Sequence, residues 1–390
     1  MKITSVDIFC ADYEKPAPNE PIFIRINTDE GISGFGEAGV AYGNAKNGGI
    51  GQLQDFAKLI IGMDPMQIER IWNKLQKETF WGLGGGTDIF SAISAIDIAL
   101  WDIKGKKYGV PVYEMLGGKT RDKVRCYASQ IQFDWDAKET PLPGVELYAK
   151  AALKAKAAGF DALKVDPLQR DENGNKNLRN AGLLSHDKLK LCRDRLVAIR
   201  EAVGDDMDII VELHAKSDFN AAMQIAKLCE DLNILYLEEP FGPLNPELMA
   251  KFKEKCNLPL ASGERIYSRY GYLPFITNRS LDVIQPDLAN CGGISEAKKI
   301  CDLAQIYDVL VQTHVCGGPI SNAAALQIEA VIPNFCIHEY HVGNMSKFTK
   351  SLGKYDDSPV NGYITIPDRP GIGNEIPDEI IAKCNVITIQ

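Results

Sequence analysis

The chain has 390 residues, 45% hydrophobic and 24% charged, which is enough for two domains and ordinary for a globular protein with a large core. Its formal net charge of −9 argues against nucleic acid or an anionic membrane surface as partner, yet leaves a small anionic substrate open, because a local cation outweighs a diffuse negative surface. The ten cysteines are scattered without a C-x-x-C pair, the opening MKITSVDIFCADYEKP has no secretory character, and no stretch approaches the roughly 20 apolar residues of a membrane span, so reduced thiols and a cytoplasmic location are expected.

In chain order, ITSVDIF, IFIRINT and ISGFGEA alternate apolar and polar residues around an Asp29-Glu30-Gly31 turn and predict an antiparallel meander. Helical spacing follows over 50–62, 64–79 and 88–108, the last stopping at Gly109 ahead of Pro111. Strands first and helices second predict an α+β capping domain over 1–122. From Lys123 the texture changes. Eight short runs (VRCYAS, ALKVD, DIIVEL, ILYLEE, LPLASGE, LDVIQPD, VLVQTH and FCIHE) alternate with helical stretches such as 185–203, 219–232, 245–257, 293–307 and 319–331. Eight strand–helix repeats predict an α/β fold of the (β/α)8, TIM-like barrel kind over 123–345. A doubly wound sheet would carry fewer strands and a glycine-rich phosphate turn, and no G-x-G-x-x-G follows a strand here. Polar residues 167–184 predict a long loop after the second barrel strand. The tail 346–390, ending in VITIQ, is expected to complete the first domain.

Barrel enzymes carry their chemistry where the strands end. There the third strand offers Glu212 (IIVELH), the fourth Glu238 (YLEEP) and the fifth Glu264 (ASGER), each 26 positions after the one before. A lone glutamate would be read as a solvent-side salt bridge. Three in register on adjacent strands would repel strongly unless a cation neutralised them. Hard oxygen donors without cysteine favour one Mg2+, with Mn2+ as a substitute. The register continues through Asp287 on the sixth strand, His314 on the seventh and Glu339 on the eighth. Asp287 is placed to hydrogen-bond one imidazole nitrogen of His314 and raise the basicity of the other. His214 lies two residues beyond Glu212 at the same rim, whereas His186, His338 and His341 are read as structural.

The segment SAISAIDIALWDIKGKKYGVPVYEMLGG (91–118), LEEP with Glu238, SGER with Glu264, QPDLANCGGISEAKKI and QTH resemble the signatures of the enolase superfamily, mandelate racemase subgroup, over nearly the whole chain. The resemblance implies Glu212, Glu238 and Glu264 as metal ligands and His314 with Asp287 as the basic dyad. Within the subgroup the chain is most similar to sugar-acid dehydratases of the D-galactonate dehydratase type. Their carboxylate-x-His pair is matched by Glu212-Leu-His214, and their eighth-strand glutamate by Glu339. Two departures stand out: Glu212 replaces the usual Asp, and Lys164 is followed by Asp166 where some relatives carry Lys-x-Lys.

The implied reaction is a Mg2+-dependent dehydration of a small anionic sugar acid, an aldonate or aldarate. In it His314 takes the proton alpha to the carboxylate, the metal stabilises the enediolate, and His214 as general acid releases the beta hydroxyl to give a 2-keto-3-deoxy acid. Glu339 is expected to donate a hydrogen bond to the substrate carboxylate or to stabilise the enediolate. A homo-oligomer is expected. Residues near 13–20 and the GGGTD segment at 84–88 are candidates for specificity, with Trp81 and Arg265 as further candidates. A racemase, epimerase or cycloisomerase using His214 as a second base stays open, as does a sugar-acid-binding protein without turnover. A phosphate-handling barrel is disfavoured, because the last two strands end in His314 and Glu339 rather than in glycine-rich loops.

Overall fold

The computed structural model describes residues 1–11, 20–40, 45–136, 138 and 140–390. Its first domain opens with the meander β1 (Ile3–Cys10), β2 (Ile22–Thr28) and β3 (Ser33–Ala38). The period-two pleat sorts its side chains onto two faces. Ile8, Ile22, Ile24 and Ile26 pack with a helical layer, α1 (Lys46–Ile60), α2 (Ile68–Lys77) and α3 (Thr87–Tyr108). Phe9, Phe23 and Phe35 join the larger core that belongs to the second domain. Helix α3 is buried along most of its length and lies directly on β3. That approach requires glycine: a methyl group on Gly34 or Gly36 would collide with the carbonyl oxygens of Ala99 and Ala95.

The second domain is a closed barrel of parallel strands: β4 (Lys123–Ser129), β5 (Ala162–Val165), β6 (Asp208–Glu212), β7 (Ile234–Glu238), β8 (Leu260–Ser262), β9 (Val283–Ile284), β10 (Leu310–Val311) and β11 (His338–His341). These are the eight runs read from the sequence, paired in order. β11 pairs with β4 in the register His338↔Cys126, and the bridge Val311↔Phe335 joins β10 to the start of the last strand segment. Closure rules out the doubly wound alternative. Outer helices include Val145–Ala157, His186–Val203, Phe219–Cys229, Gly293–Ile306 and Pro319–Val331. Ser185, Asp218 and Asn245 each begin a helix by accepting a backbone hydrogen bond three residues on. The tail serves both domains: β12 (Tyr363–Thr365) adds antiparallel to β4, and β13 (Val386–Ile389) pairs with β1. Among the described residues no helix is long and apolar enough to cross a membrane.

Inside the barrel, Tyr127, Ala162, Ile210, Tyr236, Ala261, Val283 and Ile337 form an apolar plug. Two residues further along their strands, on the same inward face, come Lys164, Glu212, Glu238 and Glu339. Polar chemistry therefore begins where the plug ends.

The domains are locked at the segment 287–297. Trp72 Nε1 donates to Gly292 O at 2.9 Å, and Gly292 N donates to Ser94 Oγ at 2.9 Å. Asp97 accepts from Ser295 N at 3.0 Å, and Trp101 Nε1 donates to Ser295 Oγ at 2.8 Å. From β3, Glu37 accepts from Gly318 N and Ser321 N and so caps helix Pro319–Val331 from across the interface. Burial pushes the carboxyls of Glu37 and Asp97 up to about 7 despite these donors.

Gly36→Ala should lower stability by about 2 kcal/mol or more, because the added methyl meets backbone that cannot move aside. Gly51→Ala, in α1 with open space where the added methyl would point, should raise it by about 0.5–1 kcal/mol. Urea unfolding midpoints check both.

Candidate active site

At the carboxyl ends of the strands, Glu212 and Glu238 stand opposite each other in the β6–β7 register, and Glu264 follows two residues beyond β8. One oxygen from each of the three lies within 4.8 Å of the others. The row is not bare. Lys164 on β5, fully buried, reaches Glu238 Oε1 at 2.7 Å, Glu339 Oε1 at 2.8 Å and Glu212 Oε2 at 3.3 Å. Burial alone would strip its proton, but these three carboxylates hold the ammonium well above its ordinary range. Lys164 therefore sits beneath the carboxylates as part of their support. Arg265 bonds both Glu264 and the buried Glu239.

Two fixed cations against Glu212, Glu238, Glu239, Glu264 and Glu339 leave an excess of negative charge in a buried site. Burial pushes Glu238 up to about 8, against the pull of Lys164, and Glu239 up to about 7. Among the described residues neither Glu238 Oε2 nor Glu212 Oε1 has a hydrogen-bond partner, and Glu212 Oε1 lies 3.2 Å from His214 Nε2. Buried carboxylate oxygens without donors, converging within 4.8 Å, fit a hard divalent cation.

Each end of the row carries an imidazole backed by an aspartate. His314 Nδ1 pairs with Asp287 Oδ2 at 2.8 Å, and its Nε2 lies 3.2 Å from Glu264 Oε2. His214 Nδ1 pairs with Asp166 Oδ2 at 2.7 Å, and its Nε2 lies against Glu212. Burial opposes protonation of both rings. Glu264 and Asp287 nevertheless hold His314 well above the usual histidine range, and Glu212 with Asp166 lifts His214 to about 9. In return His314 and Arg265 keep Glu264 at about 2 despite burial. His214 adopts φ 48° and Ala215 φ 54°, left-handed backbone that turns the ring back toward the row.

Glu339 accepts from Ser129 Oγ at 2.6 Å and from Val315 N at 3.1 Å. Lys164 and His314 overcome burial and hold its carboxyl far below the usual range. A cavity of about 360 Å³ joins Gln130, Glu212, His214, Glu264, His314 and Glu339. Arg170, Lys176 and Lys216 also line it. Asp287 stays outside this lining, behind His314, held by Ala289 N at 2.8 Å.

Four residues carry more than the sequence reading gives them. Asp166, in sequence terms only a missing lysine, orients His214. Lys164 is an ion-pair centre. Gln130 donates to Glu212 Oε2 at 2.9 Å. His341, expected to be structural, lines the cavity together with Cys316, whose thiol His341 and His314 draw down to about 7 in spite of burial. The inward periodicity of β5, which puts Lys164 and Asp166 on one face, is the signal that could have found the first two. His338 is structural, between Glu329 and Asn322. Of the specificity candidates, Arg265 lines this cavity and, with 84–86, a neighbouring cleft; Trp81 is largely exposed, and 13–20 lies, apart from Glu20, outside the described residues.

Residues 18–117 match the model of the mandelate racemase / muconate lactonizing enzyme N-terminal domain, and residues 146–380 match that of the enolase C-terminal domain-like family. D-Galactonate dehydratase of Pectobacterium atrosepticum is 33% identical, with 98% of this chain and 94% of that protein aligned. D-Xylonate dehydratase of Haloferax volcanii is also 33% identical, over 90% of this chain and 82% of that one. The crystal structure of a member of the enolase superfamily from Salmonella Typhimurium superposes with a TM-score of 0.97 at 53% identity, covering all of both chains.

Lys164→Met should destabilise the metal-free protein by about 3–5 kcal/mol at neutral pH, since it leaves buried carboxylates without their cation. Those carboxyls would then hold protons more tightly folded than unfolded. The loss should therefore shrink at pH 5 and grow at pH 8, which urea unfolding at the two pH values measures.

Proposed function

The chain belongs to the mandelate racemase subgroup of the enolase superfamily, and from that membership we propose that it is a divalent-cation-dependent sugar-acid dehydratase. The observation that carries this reading is the pair of aspartate-backed imidazoles, His314–Asp287 and His214–Asp166, facing one cavity from the two ends of a carboxylate row. Dehydration needs one group to take a proton and another to give one. Held by Glu212, Glu238 and Glu264, a Mg2+ or Mn2+ ion would supply Lewis-acid stabilisation of the charge that develops on the substrate carboxylate.

Asp287 engages Nδ1 of His314 and leaves Nε2 facing the cavity, where it takes the proton alpha to the carboxylate. Glu264 holds a proton on this ring when its own charge is unopposed, so neutralising Glu264 frees the base. His214, with Asp166 on Nδ1, presents Nε2 as the general acid that delivers a proton to the beta hydroxyl. The C–O bond breaks with the electron pair leaving on oxygen, water departs, and the enol becomes a 2-keto-3-deoxy acid. Glu339 accepts a hydrogen bond from a substrate hydroxyl or stabilises the enediolate. The dehydratases named among the relatives act, by their names, on D-galactonate and D-xylonate, which supports a sugar acid as substrate class.

A second reading rests on the same symmetry. Two dyads that each bear an aspartate can serve as two bases, which is what an epimerase needs. Release of keto acid separates the two, because epimerisation expels no water.

His314→Asn should abolish both alpha-proton exchange in deuterated water and keto-acid formation, by about 10²–10⁴-fold. His214→Asn should retain exchange and lose elimination by a similar factor. Undiminished exchange in His314→Asn would remove it as the base. Affinity for Mg2+ should rise from pH 6 to pH 9, since the cation displaces protons that Glu238 holds up to about 8. Calorimetric titration across that range measures it.

A further inference from the structure

The loop 167–184 is built more firmly than its composition suggests. Arg195, completely buried in helix His186–Val203, donates to the carbonyls of Pro167 at 2.8 Å, Arg170 at 2.7 Å, Pro143 at 2.7 Å and Asp171 at 2.9 Å. Above this clamp the chain folds back on itself. Asp171 N donates to Asn175 O at 2.9 Å, Asp171 Oδ1 accepts from Asn173 N and Asn175 N, and Gly174 takes the left-handed turn position at φ 83°. The bridge Arg170↔Lys176 sets those two residues side by side. Further on, Asn180 N bonds Lys216 O at 3.0 Å and ties the loop to the segment that follows His214.

The hairpin thus presents two cations to the catalytic cavity, and Lys216 adds a third. Arg170 lies against the Phe133 ring, 5.5 Å from its centroid, and its Nη1 donates to Gly174 O at 3.4 Å, so the guanidinium is held within the hairpin. Among the described residues neither Arg170 nor Lys176 forms an ion pair, although carboxylates crowd the other side of the same cavity. Lys216 stands 3.8 Å from Asp166, whose charge His214 already engages. A guanidinium held in place, lining the cavity and without a carboxylate partner is suited to a ligand anion.

We infer that the substrate carries a second anionic group, a terminal carboxylate or phosphate, which Arg170 and Lys176 bind at the end distant from the reacting carboxylate. The inference rests on the dehydratase reading for its direction. The first carboxylate belongs with Glu212, Glu238 and Glu264, carbon 2 with His314 and carbon 3 with His214. The chain beyond carbon 3 then runs toward the β5–β6 side, where the hairpin stands. A hexaric acid or a 6-phosphohexonate satisfies both ends, whereas a hexonate places a neutral hydroxyl beside two unmatched cations.

The test uses the full-length Mg2+-loaded protein with matched hexonic acids, hexaric acids and 6-phosphohexonates of galacto, gluco and manno configuration. Binding by calorimetry and keto-acid formation are measured separately. At least one dianion should bind about 10–100-fold more tightly than the hexonate of the same configuration, the size of one or two charge-assisted contacts. R170Q/K176Q should bring that ratio close to one without shifting the unfolding midpoint by more than about 2 °C, a surface-sized change. Carboxylate and phosphate arms identify the anion. The inference is overturned if no dianion is preferred to its hexonate, binding of none included, or if the ratio survives in the double variant. A preference that depends on Arg170 and Lys176 but yields no keto acid would retain the anion subsite and sink the dehydratase reading instead.

Discussion

One ammonium group, Lys164 Nζ, is shared by three carboxylates in the closed end of a barrel, and much of the site is arranged around it. Desolvation favours a neutral lysine, yet contact with Glu212, Glu238 and Glu339 reverses that preference. The ammonium pins the inner oxygens of the row and leaves outer ones, Glu238 Oε2 among them, for another partner. Charge then propagates outward: Glu212 acts on His214, and Glu264 acts on His314. Apolar packing by Tyr127, Ile210 and Tyr236 beneath keeps water away from this network and strengthens it.

The capping domain contributes more than a cover. Its α2 and α3 side chains hold the backbone from Gly292 to Ser295, and Gly39 exchanges hydrogen bonds with Ala289 and Asn290. This same segment begins at Asp287, whose carboxylate Ala289 N and Asn290 Nδ2 fix behind His314. The orientation of the His314 ring is therefore set partly by the first domain. On the other flank, His214 owes its direction to the left-handed turn at 214–215 and to Asp166, both within the barrel.

The barrel is legible in the sequence because each strand is a short apolar run ending in a polar residue, and equal spacing carries Glu212, Glu238 and Glu264 to one rim. What escapes is pairing through space. Lys164 and Asp166 share one face of β5, but nothing local says that one partner lies on β7 and β11 and the other beyond β6. His341 reads as structural for the same reason, since its neighbours in the cavity, His314 and Cys316, come from the segment after β10. The downward pull on the Glu339 carboxyl likewise comes from Lys164 and His314, not from its own strand. The glycines of β3 read as weak strand formers until α3 is laid on them.

The pairing of β1 with β13 joins residues 6–9 to 386–389. A ribosome emits β1 well before its outer neighbour β13, so during synthesis that edge of the sheet has no strand beside it while the whole barrel is being made. Nascent chains would therefore pass through a barrel-bearing species with an open β-edge. Truncations that spare every residue of the candidate site but remove β13 would make that exposed edge permanent, and aggregation of such products would trace to the loss of one four-residue strand.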